Sequence, residues 1–139
     1  MCASARLDGY ELDFRRLSQR WQAGVADIVP RRDATVFGCV WDLPDAELEA
    51  LDRKEGVGIG AYRRLTVALA TSHGDIEAFA YTVVDKSPAA IAPAAAYAKL
   101  ILDAARELRL PLDYQTQVKA LLQQLGVVVE PASRAQSSA

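Results

Sequence analysis

The sequence predicts an α+β fold, with a mainly β core, one helix inserted between the third and fourth strands, and two helices at the end. Three observations predict it. Apolar and polar or β-branched residues alternate through short runs in the first half, which is the period of a strand. Ser72-His73-Gly74 separates two such runs and reads as a hairpin turn. The last third carries apolar residues at i, i+3, i+4 and i+7, the stripe of an amphipathic helix. With 139 residues the chain fits one domain around a single core.

Leu7–Phe14 alternates, with Tyr10, Leu12 and Phe14 on one face and Glu11 and Asp13 on the other, as in a half-buried strand. Arg15–Gly24 is polar and reads as a loop. Val25–Val29 is a short strand that Pro30 should stop. Thr35–Trp41 is apolar on both faces and suits a buried strand. A helix is expected over Pro44–Glu55. Pro44 suits its first turn, Asp45 and Glu47 face the positive end of the helix dipole, and Leu48 and Leu51 share a face. Tyr62–Thr71 and Asp75–Val84 are the hairpin strands. Tyr97, Leu100, Ile101, Ala104, Ala105 and Leu108 make one helical stripe, which Pro111 breaks. Tyr114, Val118, Leu121, Leu122 and Leu125 make a second, which Gly126 ends. The domain is expected over residues 1–129, and the small polar stretch 130–139 as a disordered tail.

Hydrophobic residues at 51% and charged residues at 24% place the chain among globular proteins. A net charge of −2 argues against nucleic acid as the main partner, since phosphate binding needs a basic surface. No apolar run reaches membrane-spanning length and no charged-then-apolar leader is present, so neither a membrane nor a secretory route is expected. Cys2 and Cys39 are the only cysteines, and they read as reduced thiols of a cytoplasmic protein.

The segment richest in chemistry is Leu51–Arg64, LDRKEGVGIGAYRR. It places Glu55 where the helix gives way to a loop marked by Gly56, Gly58 and Gly60, with Tyr62 opening the next strand. Gly56 supplies the left-handed residue that follows a helix end. A carboxylate at the negative end of the dipole is disfavoured as an anion, so the pKa of Glu55 should rise and make it a better base. The neighbouring glycines let a ligand approach the backbone. By position alone a glutamate before a helix-ending glycine is usually just a solvated side chain. Tyrosines such as Tyr62, Tyr81 and Tyr97 commonly serve a core through a satisfied hydroxyl. His73, the single histidine, belongs to the hairpin turn, and no metal site is expected without a second. Ser18 has no histidine placed to suggest a triad. Gly56-x-Gly58-x-Gly60 follows a helix rather than preceding one, unlike a phosphate loop. Arg15-Arg16, Arg31-Arg32 and Arg63-Arg64 fit either a solvated surface or a site for substrate carboxylates.

The stretch E-G-V-x-x-G-x-Y at Glu55–Tyr62 resembles the gamma-glutamylcyclotransferase family. So do Ser18-x-x-Trp21, Gly24, Ala26, Ile28 and Val36-x-Gly38-x-Val40-Trp41 upstream of it. Downstream, Tyr81, Pro93-Ala94-Ala95-Ala96-Tyr97 and Leu110-Pro111-Leu112-Asp113-Tyr114 continue the likeness in the same order. The resemblance runs from about Arg6 to Tyr114. It implies a small mixed β-barrel with peripheral helices, and an enzyme that needs no cofactor. In the implied reaction the free α-amine of a γ-glutamyl group attacks its own γ-carbonyl, giving 5-oxoproline and a released amino acid, peptide or amine. Glu55 aligns with the family's acid/base, and Tyr81 and Tyr97 with pocket tyrosines, the latter a substrate contact. Tyr62 closes the motif and joins them as a candidate substrate-binding residue. The family's Pro-Ser at the start of the penultimate helix is Pro93-Ala94 here, which removes a serine cap.

Relative to the family pattern, the first strand and its Tyr-Gly-Ser-Asn type loop have no counterpart in these residues. The resemblance therefore implies an open pocket, an unpaired strand edge suited to a homodimer or a strand in trans, and little cyclising activity from residues 1–139 alone. Three readings follow: a γ-glutamyl-cyclising enzyme, a catalytically impaired member of the fold that binds a γ-glutamyl compound or a protein, and a structural dimerisation domain.

Overall fold

The computed structural model describes residues 2–129, with side chains from residue 3 onward. Its elements are β1 (Cys2–Ser18), β2 (Ala23–Trp41), α1 (Asp45–Lys54), a single 3-10 turn (Val57–Ile59), β3 (Tyr62–Thr71), β4 (Gly74–Val83), α2 (Ala95–Glu107) and α3 (Leu112–Gln124). The expected α+β class is what forms. The tail expected over residues 130–139 lies outside the described residues.

Four strands stand where five are expected, because the second and third are one. β2 runs through Pro30 and pairs with β1 from Ser18↔Ala23 to Cys2↔Trp41. Pro30 does not stop the strand for two reasons. β2 is an edge of the sheet, whose order is β2-β1-β3-β4, and Pro30 adjoins the register break between Asp8 and Tyr10, where a missing N–H costs the ladder least. The expected loop over Arg15–Gly24 shrinks to a tight turn, because β1 continues to Ser18. Ser18 closes that turn, accepting the Gln22 N–H on its carbonyl at 2.8 Å and the Trp21 N–H on Oγ at 3.2 Å. A second register shift, between Phe14 and Arg16, is a bulge that inserts Arg15.

All ladders are antiparallel. β3 and β4 pair over their full length, from Tyr62↔Val83 to Thr71↔Gly74, so the hairpin forms as the turn residues predict. β1 and β3, by contrast, share a single pair, Arg6↔Ala70. The sheet curls until its two edge strands meet. There the Asp27 carboxylate of β2 accepts the Val83 N–H and the Thr82 hydroxyl of β4, at 3.1 and 2.9 Å.

The register also changes the reading of the cysteines. β1 extends back to Cys2, opposite Trp41, while Cys39 lies opposite Ser4, so the two cysteines of the sequence stand on adjacent strands rather than apart. Cys39 is disulfide-bonded, which corrects the expectation of a reduced thiol.

The core lies between the β1–β2 face and the two last helices. Phe14, Ala98, Ala105, Leu110, Tyr114, Val118, Leu122 and Val127 form it, flanked by Leu12, Ala26 and Phe37 from the sheet. The Tyr114 ring meets Phe37 edge-on at 5.1 Å between centroids. The α3 stripe packs as its spacing predicts. The α2 stripe is rotated in part: Tyr97, Ile101, Ala105 and Leu108 pack on the core as expected and Ala98 and Leu102 join them, whereas Leu100 is 59% exposed and Ala104 also faces outward. α2 is apolar around much of its circumference, so periodicity admits two stripes. The alanines bring the helix closest to the sheet, and packing selects their face. Asp13, expected on the solvent face, is buried, and the Phe14 N–H and Arg15 Nε satisfy its two oxygens. Among the described residues no helix is long and apolar enough to cross a membrane.

Gly24 ties β2 to the loop that delivers α2. Its N–H donates to the Ala92 carbonyl at 2.9 Å, and a Cβ there would sit 1.9 Å from the Ile91 carbonyl oxygen. Gly24→Ala is therefore expected to cost about 3 kcal/mol, the upper end of ordinary overpacking. The urea midpoint checks it, and a parent-like midpoint would show that residues 91–93 can move aside freely.

Candidate active site

α1 stops where the sequence predicts. Pro44 precedes its first turn in extended conformation, and Glu55 caps its end, donating its N–H to the Leu51 carbonyl at 2.8 Å. Gly56 takes the left-handed conformation, φ +72°, that a side chain would resist. The chain then closes on itself. Ala61 N–H donates to the Gly56 carbonyl at 3.0 Å, and Val84 N–H to the Ala61 carbonyl at 3.1 Å. This knot starts β3 beside the end of α1, which brings Glu55 and Tyr62 together.

Glu55 is half-buried, and its pKa is raised. The direction agrees with the sequence expectation, but the leading cause is desolvation rather than the helix dipole, with the Lys54 charge pulling the other way. The Tyr62 hydroxyl is pushed up to about 12, first by burial and then by the Glu55 charge, against the pull of Arg16. Tyr97 and Asp27 also raise it. Arg16 lies over the Tyr62 ring, 5.6 Å from its centroid.

Tyr97 enters from the first turn of α2. The helix has Ala94 at its N-cap and no side-chain cap, as the lost serine implies. The Tyr97 ring packs edge-on against Trp21 at 5.1 Å, and its hydroxyl accepts the Ala26 N–H at 2.9 Å. Its own proton has no acceptor among the described residues and is free for a ligand. Burial raises its pKa most, the Ala26 bond opposes this, and the Glu55 charge adds to it.

Tyr81 is engaged elsewhere. It donates its hydroxyl to Asp52 at 2.5 Å, and Arg64 grips the same carboxylate from Nε and Nη2 at 3.0 and 2.6 Å. Arg64 holds Asp52 below the usual carboxylate range, with help from Tyr81. Burial first, and Asp52 second, push Tyr81 up to about 12. Arg64 also lies 4.4 Å over the Phe79 ring, which meets Tyr81 edge-on at 5.7 Å. Asp52 and Glu55 are three apart and share a helix face, so this cluster anchors the turn that carries Glu55.

Sequence reasoning missed the polar core behind the site. Asp27 is fully buried. Its Oδ1 accepts the Ile28 N–H, the Thr82 hydroxyl and the Val83 N–H, and its Oδ2 accepts Lys86 Nζ at 2.6 Å. Lys86 also donates to Thr82 Oγ1 and the Val83 carbonyl. Arg15 donates to the carbonyls of Ser87 and Pro88, while the N–H groups of Ser87 and Ile91 donate to the carbonyls of Arg15 and Phe14. The one available signal was a lone aspartate, Asp27, among apolar neighbours in a predicted strand.

A cleft of about 690 Å³ lies between the β1–β2 face and α3, over Leu12, Phe37 and Tyr114, and is lined by neither Glu55, Tyr62 nor Tyr97.

This fold and this glutamate-bearing turn define a family. The AIG2-like family model matches residues 35–118, a span holding Glu55, Tyr62, Tyr81 and Tyr97. The chain belongs to the AIG2-like family. It is similar to the gamma-glutamylcyclotransferase of Homo sapiens, 36% identical over 122 residues, which cover 84% of this chain and 64% of the human protein. The Mus musculus gamma-glutamylcyclotransferase is 33% identical over 125 residues, covering 86% of this chain and 65% of that protein. The chain thus spans just under two thirds of the length of these curated relatives. Among solved structures, a gamma-glutamyl cyclotransferase superposes with a TM-score of 0.78 at 32% identity, covering 94% of this chain and 75% of that one. An uncharacterized protein from Homo sapiens does so with a TM-score of 0.78 at 33% identity, covering 95% and 77%.

Proposed function

We propose that this chain, as one domain over residues 1–129, carries the acid/base side of a gamma-glutamylcyclotransferase site. The substrate is a small γ-glutamyl compound. The observation that supports this most is Glu55, a half-buried carboxylate with a raised pKa, set on a rigid turn against Tyr62 and near Tyr97. Glu55 takes a proton from the substrate's α-ammonium, and the freed amine attacks the γ-carbonyl. The C–N bond to the leaving group then breaks, and Glu55 returns the proton to the departing amine. Protons and charge balance without any electron transfer. Nucleophile and carbonyl belong to one molecule, so the protein's task is to fold the substrate and move protons. Tyr97 binds substrate through its unclaimed hydroxyl proton, Tyr62 forms the wall beside Glu55, and Tyr81 acts through Asp52 by holding α1 in place.

The partner reading rests on a separate observation. β1 and β3 share one pair, and Ile91 and Ser87 take the carbonyls of Phe14 and Arg15, so the edge of β1 between Arg6 and Phe14 is open to a strand from a second copy of the chain.

The test is release of 5-oxoproline from a panel of γ-glutamyl dipeptides, with a size measurement alongside. It is run on the 139-residue chain and on the chain extended by a strand and a Tyr-Gly-Ser-Asn loop. Release that rises on extension, together with a shift from dimer to monomer, is expected. No release from either protein would refute the activity, and a monomeric 139-residue chain would refute the dimer.

Tyr97→Phe is expected to weaken binding of a γ-glutamyl dipeptide by about tenfold through the lost donor. It should also cost about 1 kcal/mol of stability, because the Ala26 N–H loses its acceptor. Unchanged affinity with the same loss of stability would make Tyr97 purely structural.

A further inference from the structure

We propose that Arg16 is the carboxylate anchor of the Glu55 site, and so restricts its ligands to anionic γ-glutamyl compounds. The inference rests on the reading of that site given above. The bulge at Arg15 separates the fates of two adjacent arginines. Arg15 is used up in the scaffold, with Nε on the Asp13 carboxylate at 2.8 Å and Nη1 on the carbonyls of Ser87 and Pro88. Bulges commonly re-aim a side chain beside a functional site, and here Arg16 is turned onto the Tyr62 ring.

Arg16 has no carboxylate partner among the described residues. The buried acids Asp13 and Asp27 are already engaged, the first by Arg15 and the Phe14 N–H, the second by Lys86, Thr82, Ile28 and Val83. Lys54, whose charge acts on Glu55 directly, is exposed at the end of α1. The half-buried guanidinium of Arg16 therefore keeps unused donors next to the tyrosine that senses the Glu55 charge. A γ-glutamyl compound is zwitterionic at its α-carbon, and the charges of Glu55 and Arg16 match its ammonium and a carboxylate. A planar guanidinium takes a carboxylate in a two-bond grip that a lysine cannot reproduce.

The same chemistry has two sources, the α-carboxylate of the γ-glutamyl group and the carboxylate of the leaving amino acid. Four ligands separate them: γ-glutamyl-alanine has both, γ-glutamyl-ethylamide only the first, 4-aminobutanoyl-alanine only the second, and 4-aminobutanoyl-ethylamide neither. Their affinities are measured by calorimetry in the Glu55→Gln protein, which should hold ligand without turning it over, and then with Arg16→Gln or Arg16→Lys added. Arg16→Gln is expected to weaken γ-glutamyl-alanine by at least about tenfold, the scale of a charge-assisted hydrogen bond. It should leave the ligand with neither carboxylate unchanged, with Arg16→Lys intermediate. The single-carboxylate ligand that loses affinity identifies the source. Equal losses for all four ligands, or no loss for any, would overturn the proposal. Carboxylate-dependent binding without 5-oxoproline release from either the 139-residue chain or its extended form would keep Arg16 as an anchor and remove the cyclotransferase reading. Release with binding indifferent to Arg16 would do the reverse.

Discussion

In the chain extended by the strand and Tyr-Gly-Ser-Asn loop, Glu55→Gln is expected to lower 5-oxoproline release by at least about 10²-fold while the protein stays folded, because the variant can neither accept nor return a proton. The pH profile carries a second signature. Burial raises the Glu55 pKa, so the basic form appears only above the range of an ordinary glutamate. The acid limb of kcat/KM should lie correspondingly higher and disappear in the variant's residual activity. Stability moves in the opposite sense. A group whose folded pKa exceeds its unfolded value binds its proton more tightly when folded. Its contribution is therefore present below the unfolded value and is lost as pH rises through the folded one. At neutral pH the glutamine variant should be at least as stable as the parent. Parent-like turnover by a folded Gln variant would transfer the proton work to another group.

Asp27→Ala is expected to be the most destabilising single change, at about 3 kcal/mol or more, since it strips a buried ion pair of one partner. Asp27 is fully buried, while Lys86 keeps 28% of its side chain exposed. The cost is therefore set by the lost acceptor: the Val83 N–H, the Thr82 hydroxyl and Lys86 are all left without it. Lys86→Met should also destabilise, by leaving the carboxylate without its cation. The double variant should cost clearly less than the two single losses added, because the groups share one network. Additive losses in urea titrations would show that the two side chains act independently.

Much of the candidate site was legible because its signals are local. A proline at the helix start, a glycine after Glu55 and a tyrosine at the strand start follow from backbone preferences over a few residues. All three stand where the sequence places them. Strand limits around residues 15–35 were not legible. Their pairing with β1 absorbs a bulge and a proline that, read alone, look like a loop and a stop. The hydroxyl of Tyr81 is bound to Asp52, a partner 29 residues away that no local pattern signals.

The sequence by itself determined the α+β class, the helix ends, the β3–β4 hairpin and the placing of Glu55 at the end of α1. Each depends on conformational preferences and on periodicities of two or 3.6 residues that act within one element. The tertiary structure alone decided which stripe of α2 faces the core, that Asp13 and Asp27 are buried, that Tyr97 takes the Ala26 N–H, and that Arg15 and Arg16 part company. These outcomes join positions 24 with 91, 26 with 97 and 27 with 86. The physical reason is that a polar group can be buried only where its partners converge, and convergence is a property of the packed chain rather than of any short stretch of it.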